Sequence, residues 1–113
     1  MSDPQTNTLQ AVFRALSDPT RRDIITMLSE QGEKTVSQIA SEYAMTRPGV
    51  SKHLGVLQEA ELIQTEKRGR ETFNSLNREP LKAATDWMNF YSGMWENKLS
   101  GLDLGLDLGL AAE

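Results

Sequence analysis

The stretch Thr46-Arg47-Pro48-Gly49-Val50-Ser51-Lys52-His53-Leu54 reads as the opening of a helix with two unlike faces. Thr46 is a natural N-cap, and Pro48 is tolerated in the first turn because the amide it lacks has no intrahelical partner there. Continued to about Ala60, such a helix turns Val50, Leu54 and Leu57 to one side. The other side presents Arg47, Pro48, Ser51 and Lys52, with His53 at its margin. A helix that enters the major groove of B-DNA needs this division: an apolar face holding it to the domain and an outward face of short polar and cationic groups. Arg47 can give two hydrogen bonds to guanine, and the hydroxyls of Thr46 and Ser51 suit phosphates or base edges.

Working upstream, Thr35 is placed to cap a helix over Val36 to Tyr43 whose inward residues are Val36, Ile39, Ala40 and Tyr43, with Ser37 near its start, where exposed amides favour a phosphate. Two short helices joined by a tight turn form a helix-turn-helix. Before them, Asp18 and Pro19 predict the start of a helix running to Glu30, with Ile24, Ile25 and Leu28 inward and Gln31-Gly32 as its stop. The Thr20-Arg21 pair at its start is a weaker phosphate candidate. A first helix over Asn7 to Leu16 is predicted from Leu9, Val12, Phe13 and Leu16.

Downstream, the runs Leu62 to Glu66 and Glu71 to Leu76 flank Lys67-Arg68-Gly69-Arg70, which predicts a β-hairpin with Gly69 supplying a positive φ. Lys67, Arg68 and Arg70 then sit on a protruding tip that can reach phosphates or the minor groove. From Pro80 to about Leu99 the spacing is helical again: Leu81, Ala84, Met88, Tyr91, Trp95 and Leu99 form a stripe that Trp87, Phe90 and Met94 widen beyond what one small core needs. The predicted fold is mainly α with a small β-hairpin, a winged helix-turn-helix in the order helix-helix-helix-helix-strand-strand-helix. Residues 9–99 form the DNA-binding and dimerisation domain, between a flexible N-terminus (1–8) and a low-complexity tail (100–113) that contains the repeat Gly101 to Leu110 and is expected to be disordered.

Charge must be counted by segment. The 113 residues carry a net charge of -4, yet residues 46–78 hold six basic and four acidic side chains, against four and six before them and two and six after. Only the recognition helix and hairpin are net positive, which is where a polyanion would bind. There is no cysteine and one histidine, which excludes disulfides and thiolate ligands and leaves tight transition-metal sites without their usual donors. No glycine-rich phosphate loop and no telling carboxylate pair is present, so no enzyme is expected. The polar start, Met1 to Thr8, lacks an export pattern, and a cytoplasmic location is expected.

Three segments together resemble the ArsR/SmtB repressors: Leu16-Ser17-Asp18-Pro19-Thr20-Arg21-Arg22 with Ile25 and Leu28; Thr46 to Leu54 with Leu57, Ala60, Leu62 and Ile63; and Arg68-Gly69-Arg70. The resemblance spans roughly Leu9 to Leu99. It implies a homodimer that binds double-stranded DNA at an imperfect inverted repeat and represses its own or a neighbouring operon. It also implies pairing through the first and last helices, here Leu9, Val12 and Phe13 with Leu81, Met88, Tyr91, Trp95 and Leu99. Gly49 departs from the alanine more common in that family. Members sense metals through cysteine pairs near the third helix or Asp/His clusters on the last; this chain has neither, so it resembles the metal-independent members and no metal or cofactor is expected. Two readings of other classes stay open at this stage. The acidic total fits a winged-helix module that binds protein and not DNA, and the aromatic stripe fits a pocket for a small-molecule effector as well as a dimer core.

Overall fold

The structure is a computed structural model that describes residues 4–102. Most of the Gly101 to Leu110 repeat therefore lies outside the described residues, as do the side chains of Trp95 and Leu99. Among the described residues, eight elements follow one another: α1 (Pro4–Ala15), α2 (Pro19–Gln31), β1 (Lys34–Thr35), α3 (Val36–Tyr43), α4 (Arg47–Glu59), β2 (Ile63–Arg68), β3 (Glu71–Leu76) and α5 (Arg78–Leu102). The first helix starts at Pro4, within the segment 1–8 expected to be a flexible tail.

Side chains set the starts of three of these helices. The Asp18 carboxylate accepts the Arg21 amide at 3.0 Å, opening α2 with Pro19 in its first turn. At α3 the Thr35 hydroxyl accepts the Gln38 amide at 3.2 Å while the Gln38 side chain accepts the Thr35 amide at 2.8 Å, a reciprocal capping box. Thr46 caps α4 by accepting the Gly49 amide at 3.1 Å. Between α3 and α4 the chain turns in three residues. Ala44 takes a left-handed conformation, φ 53°, and the Met45 amide then donates to the Ala40 carbonyl at 3.0 Å, closing the helix end.

The sheet is antiparallel with strand order β1-β3-β2. Its first strand has no signature in the sequence, because a two-residue strand has no periodicity to read. Lys34 and Thr35 pair with Asn74 and Phe73, and the buried Asn74 amide donates to the Lys34 carbonyl at 3.2 Å. The hairpin is also tighter than its sequence suggested. Arg68 pairs with Glu71 and Lys67 with Thr72, so both cations belong to β2 and the turn is Gly69-Arg70 alone. Gly69, at φ 66°, supplies the positive φ that a two-residue hairpin turn demands at its first position.

The chain divides into two compact units, Met1–Lys82 and Ala83–Glu113. In the first, α2, α3 and the sheet gather on α4 around a core whose fully buried members include Val12, Ile24, Ile39, Val50, Leu57 and Leu62. Val12 corrects the sequence reading. It is 0% exposed, because its helical position turns it into this core, and it is unavailable to a partner chain. The second unit is the body of α5, on which Trp87, Met88, Phe90, Tyr91 and Met94 are all exposed. Trp87 and Phe90 both contact Tyr91, with ring centroids 4.5 and 5.3 Å away.

Asp18 supplies a first prediction. The Arg21 amide, helped by His53 and Arg21 charge and opposed by desolvation, holds its carboxyl below the usual value. A carboxyl lowered on folding stabilises the folded chain above its unfolded value of about 4, and that contribution fades as the pH falls through the unfolded value toward the folded one. Asp18→Ala therefore lowers stability at neutral pH, and the difference from the wild type shrinks in acid, as chemical denaturation at pH 7 and pH 3 will register.

Candidate nucleic-acid interface

Helix α4 keeps the two faces its sequence implied. Val50, Leu54 and Leu57 are buried, while Thr46, Arg47, Pro48, Ser51 and Lys52 are exposed. The Thr46 hydroxyl accepts the Gly49 amide, which leaves its own hydrogen free to donate outward. The cap thus shapes the helix start and remains a donor on its surface.

Residues distant in sequence converge at this helix start. Ser37 from the first turn of α3, Arg47 from the first turn of α4, and Arg70, Glu71 and Thr72 from the hairpin line one open cleft, together with Thr35 and Val36. The unforeseen strand β1 explains the convergence. It ties the segment leading into α3 to β3, so the hairpin is carried beside the two helix N-termini and does not project freely. Two guanidinium groups and a serine hydroxyl on one cleft make an anion site in chemical terms, with the α3 amides behind it. The Glu71 carboxylate on the same wall opposes that charge. Among the described residues, Arg47, Lys52, Lys67 and Arg70 are engaged with no carboxylate.

Arg68 is different. Its guanidinium holds Glu33 through two hydrogen bonds of 2.7 and 3.0 Å and Glu66 through one of 2.8 Å, and it lies over the Phe73 ring, 4.4 Å from the centroid. Strand alternation puts Glu66, Arg68, Glu71 and Phe73 on one face of the hairpin and Lys67 and Thr72 on the other. The first of these partners, Glu33, precedes β1, so the pair links the two strands flanking β3. Hydrogen bonds from Arg68 hold the Glu66 carboxyl below its usual range, and the two carboxylates, Glu33 first, raise the affinity of Arg68 for its proton. Both ends of this network are exposed, which limits its energy, but its geometry occupies Arg68.

His53, expected above at the margin of the DNA-facing side, also lies beside a carboxylate. It is half-buried, and its Nδ1 lies 3.8 Å from the Asp18 carboxylate at the start of α2. It sits on the side of α4 between the buried and exposed faces and looks toward the neighbouring helix cap. Among the described residues no group of three or more His, Cys, Asp or Glu side chains is placed to hold a metal ion, and no helix is long and apolar enough to cross a membrane.

The sequence pattern of bacterial regulatory proteins of the arsR family matches residues 18–65, the span from the α2 cap into β2. The transcriptional repressor SdpR of Bacillus subtilis is 36% identical over 88 residues, 78% of this chain and 97% of that protein. Among solved structures, an ArsR family transcriptional regulator superposes with a TM-score of 0.74 at 34% identity, covering 85% of this chain and 97% of the other. An ArsR-like regulator from a Rhodococcus species gives the same score, 0.74, at 29% identity, with 86% and 91% covered.

Proposed function

The chain belongs to the arsR family of bacterial regulatory proteins, and we propose that it works as a homodimer whose two α4 helices occupy successive major grooves of an inverted-repeat operator. It is a DNA-binding transcriptional repressor and not an enzyme. The observation that supports the docking mode is the cleft shared by Ser37, Arg47 and Arg70 beside the exposed polar face of α4. A two-fold axis would set the two helices about 34 Å apart, one turn of B-DNA, which makes an approximately palindromic site the matching target. Thr46, Arg47, Pro48, Ser51 and Lys52 meet the groove, and Ser37, Lys67 and Arg70 meet the strands beside it. Arg68 and His53 stand behind these contacts, one bracing the hairpin and the other facing the α2 cap. The operator is that of its own or a neighbouring transcription unit, and the protein acts in the cytoplasm without a metal cofactor.

Pairing falls to α5, with Leu9 and Phe13 of α1 as additional candidates. An exposed stripe of Trp87, Met88, Phe90, Tyr91 and Met94 is a large apolar face for one small chain to leave in water.

The experiment is a titration of the full chain with its upstream region and with a scrambled duplex of equal length, over a range of salt. Specific, salt-dependent binding is expected. Within it, Arg70→Ala flattens the slope of log affinity against log salt by about one, the signature of a lost phosphate contact. Arg68→Ala leaves the slope unchanged, because its charge is already committed to Glu33 and Glu66. Equal slopes for wild type and Arg70→Ala would remove Arg70 from the phosphate contacts, and absence of any preference for the upstream region would remove autoregulation.

A further inference from the structure

Four glycines lie in the Met1–Lys82 unit, and three have a local reason to be glycine. Gly32 and Gly69 take positive φ, 85° and 66°, and a Cβ on Gly49 would come within 3.1 Å of the Thr46 oxygen that caps α4. Gly55 has none of these reasons. It sits in the middle of α4, in helical conformation, and a Cβ there meets nothing within 4 Å. Glycine is the poorest helix former after proline, so an open position inside a helix is one where alanine would serve the isolated fold better.

Its place on the helix suggests why alanine is absent. At 100° per residue, the buried residues Val50, Leu54 and Leu57 cluster on one side, and Gly55 falls on the exposed arc between Ser51 and Lys52, beside Pro48 and Glu59. This is the face assigned above to the major groove. That groove is about 12 Å wide, and a helix with its side chains measures about 10–12 Å across. A side chain on this exposed arc therefore affects how deeply the helix can seat.

We propose that Gly55 is a depth-setting contact: the DNA comes directly against the α4 backbone there, in space that any side chain would occupy. The seating lets Ser51 and Arg47, one and two turns earlier, reach the base edges. The inference rests on the groove-binding reading of α4, and the test separates the two.

Full-length Gly55→Ala and Gly55→Leu are compared with wild type and with Arg47→Ala for thermal midpoint, affinity for the operator and salt slope. Gly55→Ala is expected to raise the midpoint while lowering operator affinity at least about tenfold, and Gly55→Leu to lower affinity further, both with an unchanged salt slope because no charge is removed. Opposite signs for stability and binding cannot come from misfolding. If both Gly55 variants bind as well as wild type while Arg47→Ala binds worse, the groove reading stands and the role of Gly55 is overturned. If neither Gly55 nor Arg47 substitution affects binding, the groove reading itself fails.

Discussion

Tyr91→Glu should convert the protein from dimer to monomer in light scattering and reduce operator affinity by on the order of 100-fold, the avidity that linking two half-site contacts commonly supplies. Tyr91 is the hub of the exposed α5 aromatics, in contact with both Trp87 and Phe90. Placing a carboxylate there asks the interface to bury an ionised group with no partner, a cost that apolar contacts around it do not offset. The monomer is expected to keep its fold, since Tyr91 is exposed and the substitution removes no buried side chain. Its far-ultraviolet circular dichroism should therefore match the wild type, apart from a small loss if the end of α5 frays. A Tyr91→Glu protein that remains dimeric would place the interface elsewhere, with Leu9 and Phe13 of α1 the next faces to test. Val12 is not among them, because it is already spent on the core.

The sequence made the helices legible because each carries its own start signal. Asp18, Thr35 and Thr46 are short oxygen-bearing side chains followed within three residues by the amide they accept, and that chemistry is local enough to be read without a structure. The span Val36 to Tyr43 is legible to the residue for this reason. What stayed hidden was whatever depended on pairing across the chain. β1 is two residues long, and its existence follows from Asn74 and Phe73, some 40 residues away. The register that moves Lys67 and Arg68 off the hairpin tip and into β2 is also a property of two strands together.

The same divide runs through the site. Which side chains are cationic was plain, and so was the exposed face of α4. Which cations are free was not, because a salt bridge such as that of Arg68 with Glu33, 35 positions apart, leaves no periodic trace. Nor could His53 be assigned from spacing alone. Its angular position lies between the two faces of α4, and only the packing of α2 decides that it looks toward Asp18.

Arg47→Ala is the substitution that asks what α4 reads. Arg47 occupies the first turn of the helix, is exposed, and lines the cleft it shares with Ser37 and Arg70. Two kinds of contact are within the chemistry of a guanidinium there. Seated on a guanine edge, it donates two hydrogen bonds to a pattern no other base pair presents; seated on a phosphate, it supplies charge without sequence information. The neighbours favour a division of labour. Arg70 and Ser37 furnish a cation and a hydroxyl that suit a strand phosphate in the cleft, while Arg47 is the residue of the three carried by the helix proposed to enter the groove. On that basis Arg47→Ala costs about 1–3 kcal/mol on the operator and little on a scrambled duplex, with the salt slope nearly preserved. Equal losses on both duplexes, together with a slope flattened by about one, would make Arg47 a second phosphate ligand beside Arg70. Sequence reading by α4 would then have to rest on Ser51, Lys52 and the bare backbone at Gly55.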